Sequence, residues 1–373
     1  MNQLDTSTTI SVEINKAKEY IKSLVTLSGL NQSIYLEGPS GIGKSDIIKQ
    51  LAIDLELELI DLRLGNQDIV SLSGIGVPNL EDKTAYFTRP DFFPPENSKI
   101  KYLLFLDEFN HASKSVFSAA YQLVLERRMN DHILPENILI IAAGNSISDK
   151  GVAFSMPSPL VNRFLHINVV SSAESWLKYA ESKDLDWKLR GLIKGNPSLL
   201  HKFDPKSNED NFPTPRNWVQ CNPFFDIKDE TLRKTLLNGK LGYTTMVAVE
   251  QHLRLLEKLP NIKLIINGKG ARNIDSDLTS SYSFSLLIKN YIKNHIDTLT
   301  AEQLFNVFSF INEQENKEVM EFLTLELSAL INTTIKNTDV LDVFHLKIIN
   351  SEIQFKSTKF IKNLQNFNKR MAK

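Results

Sequence analysis

Gly38-Pro39-Ser40-Gly41-Ile42-Gly43-Lys44-Ser45 decides the fold, because it meets every fixed position of the phosphate-binding P-loop pattern. Its flanks carry the same message. Ser33-Ile34-Tyr35-Leu36-Glu37 reads as a short strand, and Asp46-Ile47-Ile48-Lys49-Gln50-Leu51-Ala52 has the apolar spacing of a helix laid on a sheet. Strand, glycine loop and helix start together make an anion site. Loop N–H groups turn inward, and the positive end of the helix dipole faces the same point. Gly38, Pro39, Ser40, Gly41, Ile42 and Gly43 would wrap the phosphates of ATP. Lys44 would reach the β- and γ-phosphates, and the Ser45 hydroxyl would hold Mg²⁺. A chance glycine turn before a helix would not bring both flanks with it.

Lys101-Tyr102-Leu103-Leu104-Phe105-Leu106-Asp107-Glu108 is a nearly continuous apolar run ending in two acids. Such a run suits a central parallel strand buried on both faces. Acids at its C-terminal end stand in the crevice where α/β sheets bind ligands. Asp107 is placed to order Mg²⁺ through its water shell, as a Walker-B acid does, and Glu108 to polarise an attacking water. The plainer alternative, two solvated acids ending a strand, loses ground to the P-loop earlier in the chain.

The remaining composition sets limits. A chain of 373 residues has room for two domains, and 42% hydrophobic with 23% charged residues is ordinary for a globular protein. A net charge of −1 neither demands nor excludes nucleic acid. The single cysteine, Cys221, has no internal disulfide partner, and no Cys/His cluster suggests zinc. Met1-Asn2-Gln3-Leu4-Asp5-Thr6-Ser7 lacks the regions of a signal peptide, and no apolar run reaches membrane-spanning length. These features lead us to expect a soluble, cytoplasmic protein.

Strand–helix alternation runs to about residue 170, with strands expected at 57–62, 138–143 and 164–170 and helices at 11–28 and 113–128. Residues 65–98 are rich in Gly, Pro and Asp and too long for a simple connection, so they read as a functional insertion. Tyr86, Phe87, Phe92 and Phe93 within it would either grip a partner or pack the insertion onto its own domain. The sequence leaves both open. Past residue 170 helical periodicity takes over. The expected organisation is therefore an α/β nucleotide-binding domain over 1–170, a helical domain over 171–350 and a basic tail over 351–373.

Five stretches, LFLDEFNHA (104–112), AAYQLVLERRMND (119–131), IAAGNSISDKG (141–151), MPSPLVNRF (156–164) and FPTPRNW (212–218), carry a family resemblance. Together with the P-loop, and in this order, they resemble the MoxR-type AAA+ ATPases of the helix-2-insert group. The resemblance runs from the P-loop to about residue 350. It implies an α/β P-loop core with a parallel sheet sandwiched by helices, followed by an all-helical lid. It also implies roles. Asn145 resembles the sensor that hydrogen-bonds the attacking water or γ-phosphate, although Ala-Ala-Gly-Asn-Ser also reads as a turn. Arg163 resembles the arginine finger that reaches a neighbouring subunit's nucleotide. Arg216, in Thr214-Pro215-Arg216-Asn217-Trp218, resembles the second sensor, at a helix start with Thr214 as N-cap and Pro215 at the first helical position. Arg127 and Arg128 read either as further interface cations or as surface charges.

A finger acting in trans implies a ring of like subunits, hexameric in this family. The family's usual work is chaperone-like: ATP-driven remodelling or maturation of a protein partner, often alongside a von Willebrand factor A domain protein. The rival reading is a nucleic-acid motor or loader. It rests on residues 356–373, where Lys356, Lys359, Lys362, Lys369, Arg370 and Lys373 alternate with Phe355, Phe360 and Phe367. Basic residues at the end of a final helix also suit its dipole, so the protein load is favoured.

Overall fold

The computed structural model describes residues 10–95, 98–145, 156–203, 209, 211–269, 274, 278–295 and 298–334. The chain divides into two compact units. Met1–Trp176, His201–Asn208 and Thr214–Asn217 form one; Leu177–Leu200, Glu209–Pro213 and Trp218–Lys373 form the other. The basic stretch at 356–373 lies outside the described residues.

The first unit opens with strand β1 (Ser11–Glu13) and helix α1 (Ile14–Ser28). Next come β2 (Ser33–Gly38), the glycine loop, α2 (Lys44–Asp54) and β3 (Glu58–Arg63). The insertion holds a short helix, α3 (Ile69–Ser73), and a hairpin of β4 (Gly76–Asn79) and β5 (Thr84–Phe87). After it run β6 (Tyr102–Asp107), α4 (Lys114–Glu126), and a small hairpin of β7 (Arg128–Met129) and β8 (His132–Ile133). β9 (Ile138–Asn145), α5 (Ser158–Val161) and β10 (Phe164–Val170) complete the core.

Among the described residues six strands make one sheet in the order β1-β10-β2-β9-β6-β3, every pair parallel. Alternation along β6 feeds both faces. Leu103 and Phe105 join Ile47, Ile48 and Leu51 of α2 and Ile21 of α1 in one core. Leu104 and Leu106 join Val116, Ala120 and Leu123 of α4 in the other. A sheet buried on both faces requires such continuous apolar strands. The architecture is the expected one, a parallel P-loop α/β core with helices on both faces and a helical region after it.

Local departures have local causes. The periodicity of 11–28 predicts a single helix, but Ser11–Glu13 pairs with Asn168–Val170 and widens the sheet by one strand. So short a strand leaves no alternation to read. The helix expected to reach 128 stops at Glu126, because Arg127 takes φ 50° and the chain turns into β7.

The aromatic residues of the insertion part company. Phe93 is 6% exposed and belongs to the core that holds Leu72 and Phe109; Phe92 packs beside it with ring centroids 5.0 Å apart. Tyr86 and Phe87 on the hairpin are 54% and 37% exposed, with Leu80 and Ile75 also open to solvent. Phe92 and Phe93 thus root the insertion, and the hairpin displays it. Phe93→Ala is expected to cost about 3 kcal/mol or more, as large-to-small core changes do. Scanning calorimetry should show the melting temperature of the variant falling by roughly 10 °C. Tyr86→Ser should stay within about 0.5 kcal/mol of the parent.

The second unit is helical. It comprises most of α6 (Ala173–Ser182), then α7 (Trp187–Gly195), the later part of α8 (Pro215–Cys221), α9 (Glu230–Leu241) and α10 (Tyr243–Leu256). It ends with α11 (Ile262–Ile266), α12 (Leu278–Asn294), α13 (Ala301–Asn312) and α14 (Lys317–Thr334). Phe284 and Ile288 of α12 pack with Leu304, Phe308 and Ile311 of α13 and with Met320 and Leu323 of α14. A capping box of Thr300 and Gln303 starts α13. Cys221 is buried, and burial pushes its thiol up to about 12, so it stays protonated. Among the described residues no helix is long and apolar enough to cross a membrane.

Candidate functional site

Parallel strands deliver their last residues to one edge of the sheet, and that edge is where the polar groups gather. Gly41 and Gly43 adopt φ +76° and +100°, values that L side chains rarely tolerate. They curl the loop ahead of α2, while Ile42 between them is buried in the core and fixes it to the sheet. Lys44, the first residue of α2, is itself only 8% exposed. Its Nζ donates to the carbonyls of Gly38 at 2.7 Å and Pro39 at 2.9 Å and to Asn145 Oδ1 at 3.1 Å. A cation held by neutral oxygens at a helix N-terminus is matched to a polyphosphate.

Ser45 Oγ donates to Asp107 Oδ2 at 2.7 Å. Asp107 ends β6 and is buried, and its Oδ1 accepts the N–H of Glu108 at 2.9 Å. Two hard oxygen donors side by side suit Mg²⁺. Among the described residues no group of three or more His, Cys, Asp or Glu side chains could hold a metal. A magnesium ion here would complete its shell with water and phosphate oxygens, which is its habit.

Glu108 takes φ 55° and ψ 36°, turning the chain sharply after β6. Its carboxylate lies 3.8 Å from Arg63 Nε, at the end of β3. A Cβ on Gly65, two residues past β3, would come within 2.7 Å of Glu108 Oε2, so a larger residue there would push the carboxylate aside. Sequence reading did not single out Arg63. The signal was a cation at the end of a strand, but its register opposite Asp107 is a tertiary fact.

Asn145 is the last residue of β9 and pairs with Gly38, so it belongs to a strand and not to a turn. The glycine before it answers a close approach. Any Cβ on Gly144 would collide with the Tyr35 hydroxyl and lie 2.8 Å from Asn110 Oδ1. Burial pushes the Tyr35 phenol well up, and the Glu37 charge adds to this, so it stays protonated. Asn110 was also missed by sequence reading; its side chain bonds both the N–H and the C=O of Asn145.

Of the two predicted arginines, one is brought to this edge. Arg216 donates its backbone N–H to the Gly41 carbonyl at 3.1 Å, and its side chain is exposed. Thr214 caps the start of α8 through the Asn217 N–H at 3.1 Å and packs directly on Gly41. Arg163 stands elsewhere. It precedes β10, whose Phe164 pairs with Ser33 at the start of β2, while the P-loop follows Gly38 at its end. That length of strand is about 16 Å at ~3.3 Å per residue, more than an arginine side chain spans. Arg163 is exposed, and among the described residues no ion pair engages it.

Arg127 faces the carbonyl of Ile138 at 2.6 Å, and burial, followed by the nearby charge of Arg163, lowers its pKa. Arg128 pairs with Glu126 at 2.7 Å.

No protein-family model matches the chain. Among solved structures it is similar to the RuvB Holliday junction branch migration motor of Thermotoga maritima. The identity is 15% over 68% of this chain and 74% of that one, with a TM-score of 0.35. It is similar to NtrX of Brucella abortus in complex with ADP at 12% identity, over 89% and 69% of the two chains, with a TM-score of 0.36. A candidate ATPase from Cytophaga hutchinsonii matches at 14% identity, over 89% and 82%, with a TM-score of 0.33.

Proposed function

We propose that this protein hydrolyses ATP to ADP and phosphate within a ring of like subunits, hexameric by family resemblance, and uses the cycle to remodel a protein partner. The observation that carries this reading is the gathering of Lys44, Ser45, Asp107, Glu108 and Asn145 at one sheet edge while Arg163 stands at the other. Lys44 and the loop hold the phosphates. Ser45 and Asp107 hold Mg²⁺, which when bound neutralises phosphate charge and orients the γ-phosphate. Glu108 accepts a proton from, or polarises, the attacking water, and Asn145 orients that water against the γ-phosphate. Arg216, beside the loop, offers a cation to the same nucleotide. Arg163, at the far end of the sheet from its own P-loop, serves a neighbour's site in this reading, where a permanent planar cation stabilises the developing phosphoryl charge.

The protein load is supported by the hairpin of β4 and β5, which leaves the core with Tyr86, Phe87 and Leu80 outward. Exposed aromatics grouped on one element are the usual anchors of protein interfaces. A partner with a von Willebrand factor A domain is the kind the resemblance implies. The test is phosphate release with Mg²⁺ and ATP, alone, with a permanently unfolded polypeptide such as casein, and with single-stranded DNA. Stimulation by the polypeptide is expected, and Tyr86→Ser with Phe87→Ser should abolish it while basal turnover stays within about twofold, because interface anchors are few and strong. Stimulation by DNA alone, weakening steeply with salt as counterion release requires, would replace the protein load with a nucleic-acid one.

A further inference from the structure

The two neighbours of β9 abandon it at different heights. β2 accompanies it to the end, with Gly38 opposite Asn145. β6 pairs only as far as Leu106, opposite Ala142, before Glu108 swings the chain into a turn at Phe109–His111. The N–H and C=O of Asn145 face that deserted side. Asn145 is half-buried, and backbone groups turned from solvent need partners.

Asn110, in the middle of that turn, supplies both. Its Oδ1 accepts the Asn145 N–H at 3.2 Å, and its Nδ2 donates to the Asn145 carbonyl at 2.8 Å. A carboxamide carries one donor and one acceptor side by side, as a peptide group does, so a single side chain stands in for the missing strand. Aspartate has no donor, serine cannot reach both atoms, and glutamine is a methylene too long. Asn110 is 5% exposed, and the bare Cα of Gly144 leaves it room. The residue it holds is the one whose Oδ1 receives Lys44 Nζ at 3.1 Å.

We propose that Asn110 is a positioning residue for ATP turnover: it fixes the backbone of Asn145 so that the Asn145 carboxamide stays aimed at the γ-phosphate and its water. The inference rests on the role given to Asn145 above. Misplacing an orienting group by a fraction of an ångström slows chemistry without weakening the binding of the phosphates.

Steady-state turnover and ADP–Mg²⁺ affinity of Asn110→Ala, Asn145→Ala and the double variant test it. Asn145→Ala should lower kcat about tenfold or more, in the range of a lost orienting hydrogen bond. If it does not, the role of Asn145 itself falls, whatever Asn110 does. Given that loss, Asn110→Ala should lower kcat about tenfold with ADP affinity changed less than about twofold, and the double variant should be no slower than Asn145→Ala, because both act through one group. An unchanged kcat in Asn110→Ala, or losses that multiply in the double variant, would overturn the proposal.

Should Asn110→Ala not fold, Asn110→Asp keeps the shape and carries its own signature. Its ionised carboxylate would face the Asn145 carbonyl, whereas the protonated acid regains the donor, and burial raises the pKa of such a group. Its rate relative to the parent should therefore climb as pH falls from about 8 to about 5.5, and the climb should vanish in an Asn145→Ala background. A ratio flat across that range would equally overturn the proposal.

Discussion

Glu108→Gln is expected to bind ATP as the parent does and to release phosphate at least about a hundredfold more slowly, the range of a lost general base. Glutamine preserves the size of the side chain and the left-handed turn at residue 108, and it removes only the charge proposed to polarise water. The ion pair with Arg63 is lost as well, but both side chains are half-exposed, and such pairs contribute within about 1 kcal/mol. The folded protein should therefore survive intact. Lys44→Ala should fail differently. It removes the buried ammonium at the start of α2, so affinity for nucleotide should fall by about tenfold to a hundredfold, the worth of one or two charge-assisted hydrogen bonds. Titration with a fluorescent ATP analogue, beside single-turnover phosphate release, separates the two. Ordinary turnover in the Glu108 variant would sink its assignment.

Arg163→Ala should slow turnover at least about a hundredfold as well, in keeping with what a transferred arginine supplies. The distinguishing result lies in mixtures. Arg163→Ala subunits have sound nucleotide sites and no finger; Glu108→Gln subunits have a finger and no working site. Neither alone should hydrolyse ATP at an appreciable rate. Mixed, they form junctions in which an intact Glu108 meets an intact Arg163, and part of the activity should return. Verified mixing without recovery would count against action in trans, as would full activity in a monomer shown by ultracentrifugation.

The P-loop was legible because its information is local: glycines at fixed offsets, an apolar run before, a helical period after. The β10 strand was legible for the same reason, and Phe164–Val170 forms just that strand. What escaped depends on residues far apart in sequence. Nothing local distinguishes Phe93 from Phe87, yet one is in the core and the other on the hairpin, because burial depends on what the rest of the chain brings alongside. Asn110 and Arg63 escaped likewise. Each acquires its partner only when strands align in register, Asn110 with a residue thirty-five positions on and Arg63 opposite Asp107. At Gly144 the local sequence offers a turn as the alternative reading, and it holds no trace of the Tyr35 hydroxyl that occupies the place of a Cβ.

If Arg163, at the far end of the sheet from Gly38, acts as proposed, each subunit is a pair of unlike halves, one that receives a cation and one that donates it. The number of complete centres then follows from how the assembly ends. An open stack always has one fewer than its number of subunits, because its first and last members each keep a half without a mate. Closing the stack would add a centre without adding a subunit, and it would remove the one member whose own site lacks a finger. Catalytic uniformity is in this sense a property of the closed circle, and a single broken seam would silence one site, leaving a missing finger on one side and an idle one on the other.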